Sequence, residues 1–223
     1  MTTHEDKRQQ ILDRYYFRHA TKGFDPSRKI SKEDFRVILE TARLSPSSFG
    51  MEPWHFIVVE SDKLRKLIKE HAWGARGKVM EASHFVLILA RTHEDVRFDS
   101  RYLKEHYTKE LNYPKEVVAN MRDVIENFQK NDFQLFEDMR YLDDWSMKQT
   151  YIPLSNMMSV AAELGIDSCP IEGFNRSTFD QLLEEEQLYG DNMTLSVMVA
   201  FGYRKEPPRE KKRRHLNDLI TWA

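Results

Sequence analysis

Positive charge is concentrated at two places in this chain, Arg18-His19-Ala20-Thr21-Lys22 near its beginning and Lys211-Lys212-Arg213-Arg214 near its end. The chain as a whole sets 34 Lys+Arg against 36 Asp+Glu and is close to neutral. Nothing global therefore draws it to polyanions such as nucleic acid, and local cation clusters beside element ends suggest one small, discrete anion. A phosphate-bearing cofactor is the first candidate. Taken alone, either cluster also reads as solvated surface charge.

Three further segments carry chemistry-bearing residue types. Ser45-Pro46-Ser47-Ser48-Phe49-Gly50-Met51-Glu52-Pro53-Trp54 offers hydroxyls on a stiff backbone with one permissive glycine. Pro170-Ile171-Glu172-Gly173-Phe174 holds a glycine that would let a flat ring approach the main chain. Lys78, just before an apolar run, could reach over a sheet edge. Singly, these read equally as a turn, a helix stop and an exposed lysine. Other chemistries find less support. The 8 histidines form no H-x-H or H-x-x-x-H pair, which leaves little basis for a metal site. Cys169 reads as a packing thiol. There is neither a G-x-G-x-x-G fingerprint nor a P-loop. Phe128, Phe133 and Phe136 fit either a cap over an active site or the packing of an amphipathic helix.

The elements that must position these segments follow from periodicity. A helix is predicted over residues 5–17 from the spacing of Ile11, Leu12, Tyr15 and Tyr16, and a second from the Ser31 cap to about residue 44. Residues 55–60 and 85–90 read as buried strands, separated by a helix that Ser61 caps. Residues 92–144 are charged and helix-forming, broken at Asn112-Tyr113-Pro114, and read as a helical excursion rather than a second core. A long helix over 144–164 is apolar around most of its circumference, which argues for a central or interface position. Pro153 should kink it and Gly165 should stop it. A short strand near Ser168-Cys169, a helix capped by Asn175 or Ser177, and a strand over 195–203 complete an α+β or mixed α/β sandwich.

Length and composition fit that layout. The 223 residues, 40% hydrophobic and without a Pro/Gly/Ser-rich linker, predict one domain. A single cysteine excludes an internal disulfide and suits a reducing compartment. The polar first residues show no secretory core and no apolar run approaches a membrane span, so a cytoplasmic location without membrane association is expected.

Taken in order, Arg18-His19-Ala20-Thr21-Lys22, Pro46-Ser47-Ser48 with Glu52-Pro53-Trp54-His55-Phe56, Pro170-Ile171-Glu172-Gly173-Phe174 and Lys211-x-Arg213 resemble the FMN-dependent nitroreductases. The likeness is to the NfsB-like NAD(P)H nitroreductase branch, in particular its Gram-positive YfkO type, and runs from about Ile11 to Trp222. It implies the nitroreductase fold, a central mixed sheet flanked by helices in a domain-embracing homodimer with two flavins at the interface. The helix over 151–164 would form the dimer core and the tail after Arg213 would embrace the partner. It implies FMN as cofactor, with Arg18, His19 and Ala20 at the phosphate and ribityl chain and Lys22 near the flavin pyrimidine. Pro46, Ser47, Ser48 and Gly50 would pack on the flavin of the neighbouring subunit, with Phe49 and Phe128 in the substrate pocket. Lys78 would lie beside the flavin, and Pro170, Ile171, Glu172 and Gly173 would face it, with the Glu172 N–H at N5. Lys211 and Arg213 would clamp the phosphate.

The activity implied is ping-pong reduction of nitroaromatics, quinones or related acceptors by NADH or NADPH, with hydride transfer through flavin N5 and no metal. Lys22 and Lys78 would support the charge of the reduced ring. The sequence departs from the family pattern at Ala20, where Ser is usual, at Gly50, where Asn is common, and at Ala75, where an Asn-x-x-Lys pair keeps only Lys78. Those departures leave room for a flavin-binding or sensing protein without steady turnover. A specialised flavin reaction such as reductive dehalogenation is a further alternative.

Overall fold

Short polar side chains start most of the helices. Thr3 opens α1 (His4–Phe17) with a reciprocal capping box to Asp6, Ser31 accepts from the Asp34 N–H at the start of α2 (Lys32–Arg43), and Ser61 accepts from Leu64 at α3 (Asp62–His71). The structure is a computed structural model and describes residues 3–190 and 192–223. Four strands, β1 (Trp54–Val58), β2 (His84–Arg91), β3 (Asp167–Ile171) and β4 (Met193–Gly202), form a sheet of order β1-β2-β4-β3 in which every pairing is antiparallel. The sheet expected to be mixed has its parallel element in one isolated bridge, between Ala20 and Ser168. That bridge is what ties the first basic segment to the sheet.

The unbroken apolar run of β2 is covered on both faces, as its sequence predicts. Phe85, Leu87 and Leu89 enter one cluster with residues of α3, α4 (Lys78–Glu81) and α9 (Arg176–Glu185), while Val86 and Ile88 enter another with α2 and α8 (Met139–Glu163). In β4 a bulge shifts the register between Ile88 and Leu89, so Leu195 faces the same layer as Met198 and Ala200. β1 differs from expectation. It lies at the sheet edge and is only partly buried, with Trp54 and Ile57 buried and His55 exposed.

The long helix starts earlier than its apolar pattern suggested, at Met139, and stays helical across Pro153. It ends as Gly165 requires. Gly165 sits at φ 69°, its N–H donates to Ala162 O at 3.1 Å, and the Ile166 N–H donates to Ala161 O at 2.8 Å. Part of the apolar surface of α8 is used inside the subunit, between α2 and the sheet: Leu154, Met157, Met158 and Ala161 are all buried there. Tyr151 of the same helix and Leu164 at its C-cap remain exposed, and further exposed apolar residues lie on α1, which has no buried residue, and on the tail.

Residues 92–144 hold α5 (His93–Val96), α6 (Arg101–Glu105), a π turn (His106–Glu110), α7 (Lys115–Asn127) and a second π turn (Phe128–Asp132) before α8 begins. Contrary to the expected excursion without a core, they pack a separate apolar cluster around Val96, Leu103, Tyr107 and Ile125, which Met51 of the Ser/Pro loop and Trp145 of α8 complete. At its centre Gln129, wholly buried, accepts from the Phe98 N–H at 2.9 Å and donates to Val96 O at 2.8 Å. No helix of the described residues is long and apolar enough to cross a membrane.

Candidate functional site

The two basic segments meet at the C-terminal end of α1. The Lys211 ammonium donates to the carbonyls of Tyr15 and Arg18, so the tail folds back on the last turn of the helix. Part of this is capping, because those carbonyls carry the negative end of the helix dipole. Burial lowers the pKa of Lys211, and the positive charges of Arg18 and Arg213 lower it further. Three like charges thus lie within electrostatic reach of one another, and none of them has a carboxylate partner among the described residues. Such a cluster is unfavourable unless an anion sits among it. Arg213 is exposed and, among the described residues, its side chain bonds only to Lys212 O.

A residue that the sequence did not mark holds this end in place. Arg204 contacts the buried Asp167 carboxylate at 2.5 Å, donates to Phe17 O at 3.0 Å and lies over the Phe17 ring at 4.2 Å. Asp167 also accepts the Arg204 N–H at 2.9 Å. The segment beyond Phe17 is then pinned to β3, with the Thr21 N–H donating to Ser168 O at 3.2 Å. His19 is half-buried, and burial holds its pKa below 6.5. Ala20 and Lys22 face outward.

Burial raises the pKa of the Cys169 thiol at the middle of β3, and the charges of Lys78 and then Lys22 oppose the rise, so both cations act on that strand. Lys78 donates to Gly74 O at 2.8 Å. The following turn, Pro170 to Gly173, packs against the same stretch of chain. A Cβ on Gly173 would fall 2.7 Å from Gly74 Cα, and Gly74 N–H donates to Gly173 O at 2.8 Å. Gly173 is therefore required by the close approach of Gly74, whatever else approaches it. Ile171 is buried beneath the turn and Glu172 is exposed, its carboxylate accepting from the Tyr151 hydroxyl.

The Ser/Pro loop is held elsewhere, by the excursion. Tyr107 donates to Phe49 O at 3.0 Å, His106 Nε2 lies 2.9 Å from Gly50 O, and Tyr102 donates to Met51 O at 3.0 Å and to Glu52 O at 3.2 Å. Phe49, Gly50 and Glu52 have φ of 55°, 65° and 46°, a left-handed path that these donors fix. Ser47 accepts the Glu52 N–H and the Ser48 N–H donates to Gln149, each at 2.9 Å, while Pro46 is exposed. Phe49 and Phe128 meet edge to face at 5.0 Å, and Phe128 contacts Phe133 at 4.3 Å, so both proposed pocket residues share one aromatic group. No hydrogen bond among the described residues joins this loop to the basic segments or to the turn at Gly173. Among the described residues no group of three or more His, Cys, Asp and Glu could hold a metal ion.

The "Nitroreductase family" model matches residues 15–203. The chain belongs to the nitroreductase family. Two of its relatives carry the name "Putative NAD(P)H nitroreductase". YfkO of Bacillus subtilis is 50% identical over 219 residues, 98% of this chain and 99% of its own length. SH0546 of Staphylococcus haemolyticus is 47% identical over 213 residues, 95% and 96% of the two lengths. The fold also matches that of a "putative nitroreductase in complex with FMN" from Exiguobacterium sibiricum, with a TM-score of 0.74, 23% identity and coverage of 96% and 97% of the two chains. The family membership gives the segments one context, and Arg204, Gly74, Tyr151 and the Tyr102-His106-Tyr107 group are the members of this arrangement that sequence reasoning missed.

Proposed function

We propose that this nitroreductase-family chain is an FMN-dependent NAD(P)H oxidoreductase that reduces nitroaromatics, quinones or related acceptors with ping-pong kinetics. The observation that carries the reading is the meeting of Arg18, Lys211 and Arg213 at one helix end. That cluster fits a phosphate, whose charge would relieve the repulsion among the three cations. FMN, when bound, supplies a ring that accepts a hydride from NADH or NADPH at N5 and passes it to an acceptor. The chain's own residues bind and orient. Arg18 and Arg213 would donate to the phosphate, with His19 and Ala20 beside the ribityl chain, while Lys22 and Lys78 set positive charge near β3 that would favour added negative charge there. The turn at Pro170, Ile171, Glu172 and Gly173, braced by Gly74, presents main-chain donors on a rigid support.

The Ser/Pro loop bonds to its own excursion rather than to this cluster, which supports a homodimer in which Pro46, Ser47, Ser48 and Gly50, with Phe49 and Phe128, complete the neighbour's site. A buried lone thiol at Cys169 suits the cytoplasm. The departures at two positions have local causes that weigh against a sensor without turnover. Ala75 is wholly buried in the core, where a polar side chain would be costly, and Gly50 has the positive φ that glycine adopts freely.

The test is optical. Purified protein should be yellow, bleach anaerobically with NADH or NADPH, and recover its colour on addition of a quinone or a nitro compound. A yellow protein that stays oxidised with both nicotinamides would favour the sensor. A colourless protein that FMN cannot reconstitute would remove both readings.

A further inference from the structure

Beyond the basic cluster lies a cleft of about 510 Å3 between the end of the excursion and one face of α8. Its size suits a small organic molecule. Leu135 and Met147 form its buried floor, and Phe133, Tyr141 and Tyr151 supply aromatic walls. Two cations complete it, Lys148 from α8 and Arg176 from the first turn of α9. Tyr141, Asp144, Lys148 and Tyr151 recur at three- and four-residue spacing, so one stripe of α8 faces the cavity.

The charges in this cleft are not balanced. Neither Lys148 nor Arg176 forms an ion pair among the described residues, whereas Asp144, the acid in the lining, lies 3.6 Å from Arg140. Tyr151 joins the cleft to the turn described above, since its hydroxyl donates to Glu172. Burial and the Glu172 charge keep that phenol protonated, and the nearby Arg176 opposes them. With Arg140 set against Asp144, Lys148 and Arg176 outnumber the one further acid at the rim, Glu172, so the field left over is positive, and the N-terminus of α9 adds to it. An aromatic surface beside two cations without ion-pair partners among the described residues suits a flat ring with an acidic substituent. An uncharged ring would leave both cations without a partner.

We propose that this cleft selects electron acceptors that are aromatic carboxylates, with the ring against Phe133 and Tyr151 and the carboxylate between Lys148 and Arg176. The proposal rests on the reading of the Glu172 turn as part of a redox site. It concerns acceptor choice rather than the chemistry itself, and it makes Lys148 and Arg176 specificity residues.

The experiment compares 4-nitrobenzoate with 4-nitrobenzamide, which share ring and nitro group and differ in charge. The ratio of their kcat/KM values cancels the fraction of folded, flavin-loaded protein. It should favour the carboxylate by about tenfold in the unaltered holoenzyme and fall to about one in the Lys148→Gln/Arg176→Gln double variant. Calorimetry with 4-nitrobenzoate should show binding to the unaltered protein and its loss in the double variant. A ratio near one in the unaltered enzyme, or one that the substitutions leave unchanged, overturns the proposal. So does a double variant whose change appears in the preference for NADPH over NADH, since the cleft would then serve the donor's phosphate. The two readings can fail separately. Menadione reduction without 4-nitrobenzoate binding removes the cleft assignment alone. Binding that the substitutions abolish, in a protein that reduces no acceptor, upholds the anion site and removes the proposed function.

Discussion

At the scale of single residues, charge decides which side chains matter. In the reading proposed above Arg18 and Arg213 hold an anion, whereas among the described residues Arg214 forms no ion pair or hydrogen bond with that cluster. Arg18→Ala and Arg213→Ala should each weaken FMN retention by about 1.5–3 kcal/mol, the cost of losing a hydrogen bond from a charged donor, and Arg214→Ala should not. Equilibrium titration of flavin fluorescence measures this, and equal losses in all three variants would reject the clamp. Arg204 acts differently, through the fold. Its partner Asp167 is 4% exposed, so Asp167→Asn leaves a guanidinium facing a neutral group and should cost about 3 kcal/mol in urea unfolding. An unchanged unfolding midpoint would show that the pair is not integral. The first cluster was legible because its charges are neighbours in sequence. Arg204 was not, because the partner that gives it meaning lies 37 residues away, and Gly74 was hidden for the same reason.

At the scale of elements, local chemistry was read well and long-range fastening was not. Ser31, Ser61, Asn175 and Gly165 each end or begin a helix as their residue types predict. The Ser/Pro loop was recognisable from composition. Its fastening was not: Tyr102 and His106 stand four apart on a helical stripe, but Tyr107 does not share it, and the three are brought to one loop where α6 passes into a π turn. The three donors reach consecutive carbonyls of a loop that takes the left-handed region at Phe49, Gly50 and Glu52. Tyr107 is 2% exposed, and Tyr107→Phe should leave the Phe49 carbonyl without its donor at a cost of about 1–2 kcal/mol. Differential scanning calorimetry would register the lower midpoint, and limited proteolysis should cut the loop at residues 46–52 sooner. Faster cutting elsewhere with an intact loop would mean that the tyrosine serves the core alone.

At the scale of the whole molecule, two consequences follow from what is buried and what is not. Burial is the first cause that holds the half-buried His19 and His84 below a pKa of 6.5. The folded state thus favours their neutral forms, while the unfolded chain takes up protons near 6.5. Their contribution is fully present above that pH and is lost as the pH falls from 6.5 toward the lower folded values. The urea midpoint should therefore drop between pH 7.5 and pH 5.5, before the carboxylates titrate, and a flat profile across that window would contradict the assignment. The second consequence concerns surface. Ile11, Leu12, Tyr15 and Tyr16 are 53%, 52%, 54% and 68% exposed on a helix with no buried residue, and Leu216 and Trp222 of the tail are 68% and 92% exposed. An apolar stripe left this exposed in its own subunit calls for another surface to cover it. In the homodimer proposed above, that surface is a second copy, and the stripe that the sequence marks by its helical spacing would become an interface face. Sedimentation should give about twice the 26.6 kDa of one chain. The Leu12→Lys/Tyr16→Lys variant should shift toward the monomer and lose flavin with it, because the neighbour's Ser/Pro loop would no longer be held over the site. A flavin-loaded monomer of the unaltered chain would end the dimer reading.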